Sequence, residues 1–349
     1  MRFLRLLCTL ALMAGAPIAL EAQEGGSADL TKAAAAPAKK LMKKKAVRHR
    51  GPAARVLFGA AKTPASLVAR SIGFYAKGCL AGGTALPIDG PAWQAMRLSR
   101  NRNWGHPKLI ALVEKLALEA KEDGWPGLLV GDLSQPRGGP MLSGHASHQV
   151  GLDADIWLTP MPDRRLTDQE REDLSATSML ATDKVSVDPN IWTDVHVRLL
   201  KRAASSAGVE RIFVHPAIKK ALCEATAKDT SRVWLAKVQP YWGHYYHFHV
   251  RIACPEGSTH CEAQHPRPAE DGCGSELKHW LALVKPSPKP PAPTTKPQPT
   301  KPGITLDQLP AECRSVLASG KDAPTPAAVA ATPIAPATAT TADKASTAK

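Results

Sequence analysis

Gly144-His145-Ala146-Ser147-His148-Gln149-Val150-Gly151-Leu152-Asp153-Ala154-Asp155 and, much further along, Trp242-Gly243-His244-Tyr245-Tyr246-His247-Phe248-His249-Val250 hold five of the chain's twelve histidines. Imidazoles gathered beside carboxylates are what a zinc hydrolase requires. Catalytic Zn²⁺ takes three protein ligands from His and Asp or Glu and keeps a fourth position for water, whose pKa falls toward about 7. Strict alternation from Tyr246 to Ile252 puts His247, His249 and Arg251 on one face of a strand and Phe248, Val250 and Ile252 on the other. His244 stands at the entry to that strand, within reach of the same space. In the earlier stretch Val150, Leu152, Ala154 and Ile156 form an apolar face, which leaves Asp153 and Asp155 opposite. Simple alternation groups His148 with the apolar set, so either His148 lies off the strand or Gly151 marks a bulge that re-aims the side chains. Either solution brings His148 and Asp155 to one cation. Asp153 has two readings, a carboxylate that orients a ligand imidazole or a solvated, locally capped Asp.

Outward from these stretches, composition separates a folded centre from both ends. Residues 1–22 read as a secretory signal: Arg2 and Arg5 precede the apolar run Leu6 to Ala14, small residues follow at Ala19 and Ala22, and Cys8 is expected to be removed with it. The mature chain shows no membrane span. Residues 23–50 carry eight Lys and Arg among alanines, with only Glu24 and Asp29 in opposition, and a basic disordered arm is expected to run to residue 65. The arm supplies much of the formal net charge of +14. Behind a secretion signal that charge points to anionic cell-wall material; no helix-turn-helix, zinc-finger or stacking-platform motif supports nucleic acid. Residues 284–303 read as a Pro-rich linker, 304–318 as an ordered island around Cys313, and 319–349 as a disordered Ala/Thr/Pro tail. Residues 66–283 are one domain's worth of chain.

The predicted elements are mixed. Pro107 to Asp123 places Leu109, Val113, Leu116 and Ala120 at helical spacing, with proline at the start and Gly124 past the end. Thr193 to Ala207 puts Val195, Leu199 and Ala203 on one helical face. Val209–Val214 and Leu128–Leu133 read as strands, and Pro216–Cys223 as a short helix. The fold class is α+β: a small antiparallel sheet carries the site, helices flank it, and disulfides staple a single domain. Six cysteines remain after Cys8 (Cys79, Cys223, Cys254, Cys261, Cys273 and Cys313), an even number that fits an oxidising compartment and allows fifteen pairings. No Cys-x-x-Cys occurs, which disfavours thiolate zinc and thioredoxin chemistry.

His148 and Asp155, six residues apart between them, followed later by His247-Phe248-His249, resemble the zinc signature of lysostaphin-type and D-Ala-D-Ala metallopeptidases. The longer strings Ser143 to Gln149, Gly151-Leu152-Asp153, Arg211-Ile212-Phe213-Val214 and Ile218 to Cys223 narrow this to the penicillin-insensitive murein endopeptidases of Gram-negative periplasms. The similarity covers about residues 72–283 and the Cys313 island. It implies His148, Asp155 and His249 as zinc ligands, and His247 and His244 as active-site histidines. It implies the pairs Cys79–Cys313, Cys223–Cys273 and Cys254–Cys261. Positions for a second metal fall on His145 and Asp183, with Ser186 standing where the family has its remaining histidine. The implied activity is metal-assisted hydrolysis of the D-alanyl to diaminopimelyl cross-links of peptidoglycan in the periplasm. Two alternatives are a D,D- or L,D-carboxypeptidase on the same metal and a non-enzymatic wall-binding module. A serine triad is weaker, because no Gly-x-Ser-x-Gly elbow occurs.

Overall fold

Parallel strands cannot be joined by a tight turn; they need a crossover, usually through a helix. In a computed structural model that describes residues 52–267, 269–286 and 303–320, this requirement shapes both flanks of the main sheet. The described elements are, in order, α1 (Ala54–Ala60), β1 (Arg70–Phe74), β2 (Lys77–Ala81), β3 (Thr84–Ala85), β4 (Asp89–Gly90), β5 (Trp93–Ala95), β6 (Trp104–Gly105), α2 (Pro107–Glu122), β7 (Leu128–Val130), β8 (Asp153–Trp157), α3 (Asp168–Asp173), α4 (Asp194–Ser205), β9 (Val209–Val214), α5 (Pro216–Ala225), β10 (Val238–Pro240), β11 (His247–Ile252), α6 (Ser275–Val284) and α7 (Glu312–Ala318). The fold class is α+β. Its largest sheet runs β10-β9-β11-β8-β7-β5-β4. β11 lies antiparallel between β9 and β8, while β5–β7 and β9–β10 are parallel pairs bridged through α2 and α5 respectively. The sheet is therefore mixed: antiparallel across the centre, β9-β11-β8-β7, where the histidines sit, and again at the edge pair β4–β5.

The apolar periodicities become packing. Helix α2 buries Leu109, Ile110, Val113, Leu116, Ala117 and Ala120, and α4 buries Leu199, Leu200, Ala203 and Ala204. They share one core with Phe248, Val250 and Ile252 of β11 and Ala154 and Ile156 of β8. That burial fixes the register: one residue of slip would carry the imidazoles into the core. His249 pairs with Asp155 across the ladder, Arg251 with Asp153 and His247 with Trp157. Strand β7 ends at Val130, short of the predicted Leu133, so Asp132 lies just beyond it.

One boundary differs from expectation. Helix α1 falls within residues 23–65, the expected arm. Ala54, Phe58 and Ala65 are buried in a small second cluster with Ile72, Cys79, Leu309, Cys313 and Val316. The Ala54 N–H also donates to the Ile304 carbonyl at 2.7 Å. The partners lie at the far end of the chain, so no local pattern announces the helix. The described fold begins near residue 52 and includes the Cys313 island. The signal, Cys8, the basic run, most of the linker and the tail from residue 321 lie outside the described residues. No described helix is long and apolar enough to cross a membrane. The structure contains the disulfides Cys79–Cys313, Cys223–Cys273 and Cys254–Cys261.

Helix α5 opens on a titratable cap. The His215 Nδ1 accepts the Ala217 N–H at 3.2 Å and Pro216 takes the first helical position. Burial pushes the His215 imidazole down to about 4 from 6.5. Between those values the unfolded chain binds a proton that the folded one does not, so stability falls as pH falls through this window. His215→Asn keeps a capping acceptor that does not titrate. It is expected to lose about 1 kcal/mol less stability than wild type between about pH 7 and about pH 5, read from denaturant midpoints. Parallel pH dependences in the two proteins would remove this role for His215.

Candidate metal centre

Glycine and tight approach set the loop before β8. Gly151 has φ +72°, and a Cβ there would stand 2.7 Å from the Leu80 side chain and 2.9 Å from the His106 nitrogen. His148 also adopts a left-handed conformation, φ 64°, and its N–H donates to Asp153 Oδ2 at 2.9 Å. His148 therefore lies off the strand, the first of the two solutions the sequence allowed. Its ring, fully buried, turns toward β8 and β11. His148 Nε2 stands 3.2 Å from His249 Nδ1 and 3.3 Å from Asp155 Oδ1, and His249 Nδ1 stands 3.3 Å from the same oxygen. His247 Nε2 follows at 3.6 Å from Asp155 Oδ1.

Asp153 resolves in favour of orientation. Its Oδ1 accepts the His249 Nε2–H at 2.9 Å and the Arg251 Nε–H at 2.6 Å. With the proton held on Nε2, His249 presents the lone pair of Nδ1 to His148 and Asp155, the tautomer a metal ligand needs. Burial alone would raise both carboxyls. Arg251 and the hydrogen bond from His249 outweigh it at Asp153, and the His148, His247 and His249 rings gathered around the carboxylate outweigh it at Asp155, so both are held below the usual carboxylate range. Burial lowers His247, and it pushes His244 down to about 3, with help from the neighbouring His249 and His247. Both rings are neutral near pH 7, with a nitrogen free to accept a proton. His244 donates Nδ1–H to the Trp242 carbonyl at 2.6 Å, and its ring centre lies 4.9 Å from that of His247.

The donor set fits a small divalent cation. Two nitrogens and one oxygen bound to a tetrahedral ion at about 2.0–2.1 Å stand about 3.3–3.4 Å from one another. The three observed separations are 3.2, 3.3 and 3.3 Å. Asp155 Oδ1 is buried and makes no hydrogen bond, although three imidazole nitrogens surround it. Such an oxygen costs desolvation without return unless a cation shares it. His145, His148 and Asp155 also form a candidate group whose ligand atoms all lie within 4.8 Å of one another.

A family described as penicillin-insensitive murein endopeptidase matches residues 71–318. The chain belongs to that family. Penicillin-insensitive murein endopeptidases similar to it include that of Haemophilus influenzae, 44% identical over 242 residues that cover 69% of this chain and 82% of the relative. That of Klebsiella pneumoniae subsp. pneumoniae is 41% identical over 249 residues, 71% of this chain and 86% of the relative. That of Pectobacterium atrosepticum is 39% identical over 264 residues, 74% and 89% respectively.

Within this penicillin-insensitive murein endopeptidase fold, the second-metal positions part company. His145 reaches the centre, its Nδ1 3.4 Å from Asp155 Oδ2. Asp183 is exposed and occupied locally: its carboxylate accepts the Val185 and Ser186 N–H groups and the Ser186 hydroxyl. Among the described residues Asp183 joins no group of three metal-ligating side chains. Sequence reasoning missed the support behind His145. His145 Nε2 lies 2.9 Å from Asp132 Oδ2, and that oxygen also receives Arg100 at 3.0 Å and Arg102 at 2.9 Å. Burial would raise Asp132, but the His145 hydrogen bond and the two arginines hold it at about 2. The available signal was a lone Asp at the end of an apolar strand, downstream of an Arg-rich, non-periodic segment.

Proposed function

We propose that the chain is a zinc-dependent murein endopeptidase of the Gram-negative periplasm, hydrolysing D-alanyl to diaminopimelyl cross-links. The observation that carries it is the convergence of His148 Nε2, Asp155 Oδ1 and His249 Nδ1 at tetrahedral-edge separations, with His247 beside them. Family membership and the names of the relatives supply the substrate class. His148, Asp155 and His249 would hold zinc, which supplies a Lewis acid for the scissile carbonyl and lowers the pKa of water. The chain's own residues do the rest. Asp153 fixes the His249 tautomer, and Arg251 keeps Asp153 ionised. His247, neutral and buried, takes the proton of the attacking water or donates to the developing oxyanion. His244 assists proton transfer or positions the peptide. No serine is acylated in this scheme, so a β-lactam finds no nucleophile to trap.

The test joins metal analysis to product analysis. Purified protein is expected to carry about one zinc per chain, to lose activity to a chelator and to regain it with zinc. It should convert a cross-linked muropeptide dimer to monomers. Release of free D-alanine from a pentapeptide monomer with dimer left intact would support the carboxypeptidase reading instead. An active preparation free of zinc would overturn the mechanism.

A further inference from the structure

Beside the ligand cluster lies a cavity of about 290 Å³ whose wall includes Arg97, Arg100, Asp132, Asp155, Tyr246 and His247. Its charges do not balance. Asp155 is engaged by imidazoles, and Asp132 is already shared by Arg102, which is nearly buried, and by His145. Arg100 gives Asp132 only Nη1–H, at 3.0 Å, and 46% of its side chain is open to solvent. The other N–H groups of Arg100 meet no acceptor among the described residues. Arg97 donates to the Arg171 and Leu174 carbonyls, lies 5.5 Å from the Trp157 ring centre and has no carboxylate partner among the described residues. A guanidinium with unused, forked donors at the edge of an enclosed site is suited to a carboxylate.

The proposed substrate places one there. In a D-alanyl to diaminopimelyl cross-link, the carbon bearing the scissile nitrogen also bears a free carboxylate, two bonds from that nitrogen. When the scissile amide sits at the metal centre, this carboxylate must lie within a few ångströms of it. We infer that Arg100, with Arg97 reinforcing the field, forms the subsite that binds the diaminopimelyl carboxylate on the leaving-amine side. The inference rests on the endopeptidase reading and adds to it a determinant of specificity. It gives the cavity a task that metal ligation leaves open: selecting bonds whose leaving amine carries an adjacent acid.

The test compares three muropeptide dimers: the free acid, one with that diaminopimelyl carboxylate converted to a carboxamide, and one amidated at the remote D-glutamyl carboxylate. Wild type should prefer the free acid over the diaminopimelyl amide by about tenfold or more in kcat/KM, as expected for a charge-assisted pair, and should tolerate the glutamyl amide. Arg100→Gln should bring the acid-to-amide ratio to within about twofold, with the loss falling on the acid, and Arg100→Lys should lie between, since it keeps the charge without the fork. A uniform slowing of all dimers by Arg100→Gln assigns Arg100 a structural role and overturns the subsite. So does a wild type indifferent to the diaminopimelyl amide, or one sensitive to the glutamyl amide instead. Wild type that cleaves none of the dimers while releasing D-alanine from monomers overturns the endopeptidase reading itself, and the subsite with it.

Discussion

His249→Ala and Asp155→Ala are each expected to lose bound metal and at least about a thousandfold of kcat/KM together, whereas His247→Ala keeps the metal and loses about 10²–10⁴ in kcat. The distinction follows from position. His249 Nδ1 and Asp155 Oδ1 stand 3.3 Å apart and each stands 3.2–3.3 Å from His148 Nε2, so removing either opens one edge of the cage. His247 Nε2 is further out, 3.6 Å from the nearest ligand oxygen, on the side that opens into the cavity. It is placed to act on water or peptide, and its loss leaves three donors in place. Metal content measured beside turnover separates the roles. Equal metal loss in all three variants would show that His247 is a ligand. Retention of metal by His249→Ala would move the site toward the His145, His148 and Asp155 group.

How much of this was legible depended on whether a residue's partners were close in sequence or its pattern periodic. The alternation in Tyr246 to Ile252 announced the direction of His247 and His249, because Phe248, Val250 and Ile252 had to enter the core. The caps and period of α2 and α4 fixed those helices to within a residue or two. For His148 the sequence posed the right question without the answer: its positive φ goes with an N–H turned onto Asp153, and the Gly151 beside it is required by the close approach of Leu80 and His106, contacts made across the fold. Asp132 and its arginines left only a faint trace, a lone Asp after an apolar strand and an Arg-rich run before it, with nothing to join the two. Arg100 and Arg102 come from a turn with no periodicity, and their shared carboxylate lies beyond the end of β7. The strands β3, β4 and β6, each two residues long, are too short to display any alternation. Helix α1 failed to declare itself for the same physical reason as Asp132: what makes it stable is supplied by distant residues, here Leu309, Cys313 and Val316.

That dependence on distant residues sets the second large effect. Replacing Cys79 and Cys313 together by alanine is expected to cost about 3–5 kcal/mol and to lower Tm by about 10 °C, with metal still bound below the transition. The bridge spans 234 residues, against 7 for Cys254–Cys261. On loop entropy alone the long closure constrains the unfolded chain by about 5 kcal/mol and the short one by about 2 kcal/mol. Packing works in the same direction. Both sulfurs lie in the small cluster that holds α1 to α7, and Arg137 meets the end of α7 by donating to the Val316, Leu317 and Gly320 carbonyls. With the bridge gone, those three hydrogen bonds, the Ala54 to Ile304 backbone bond, the His260–Glu312 pair and a small apolar cluster are left to retain the island. The coupling to the centre is indirect: β2, which carries Cys79, also carries Gly78, whose N–H donates to the Gln149 side chain next to His148. Denaturant midpoints of the long-bridge and short-bridge double variants, taken at equal metal content, decide the matter. A clearly larger loss for Cys79/Cys313 is expected; equal losses would mean that the unfolded chain gains nothing from the longer loop and that the island is held by packing alone.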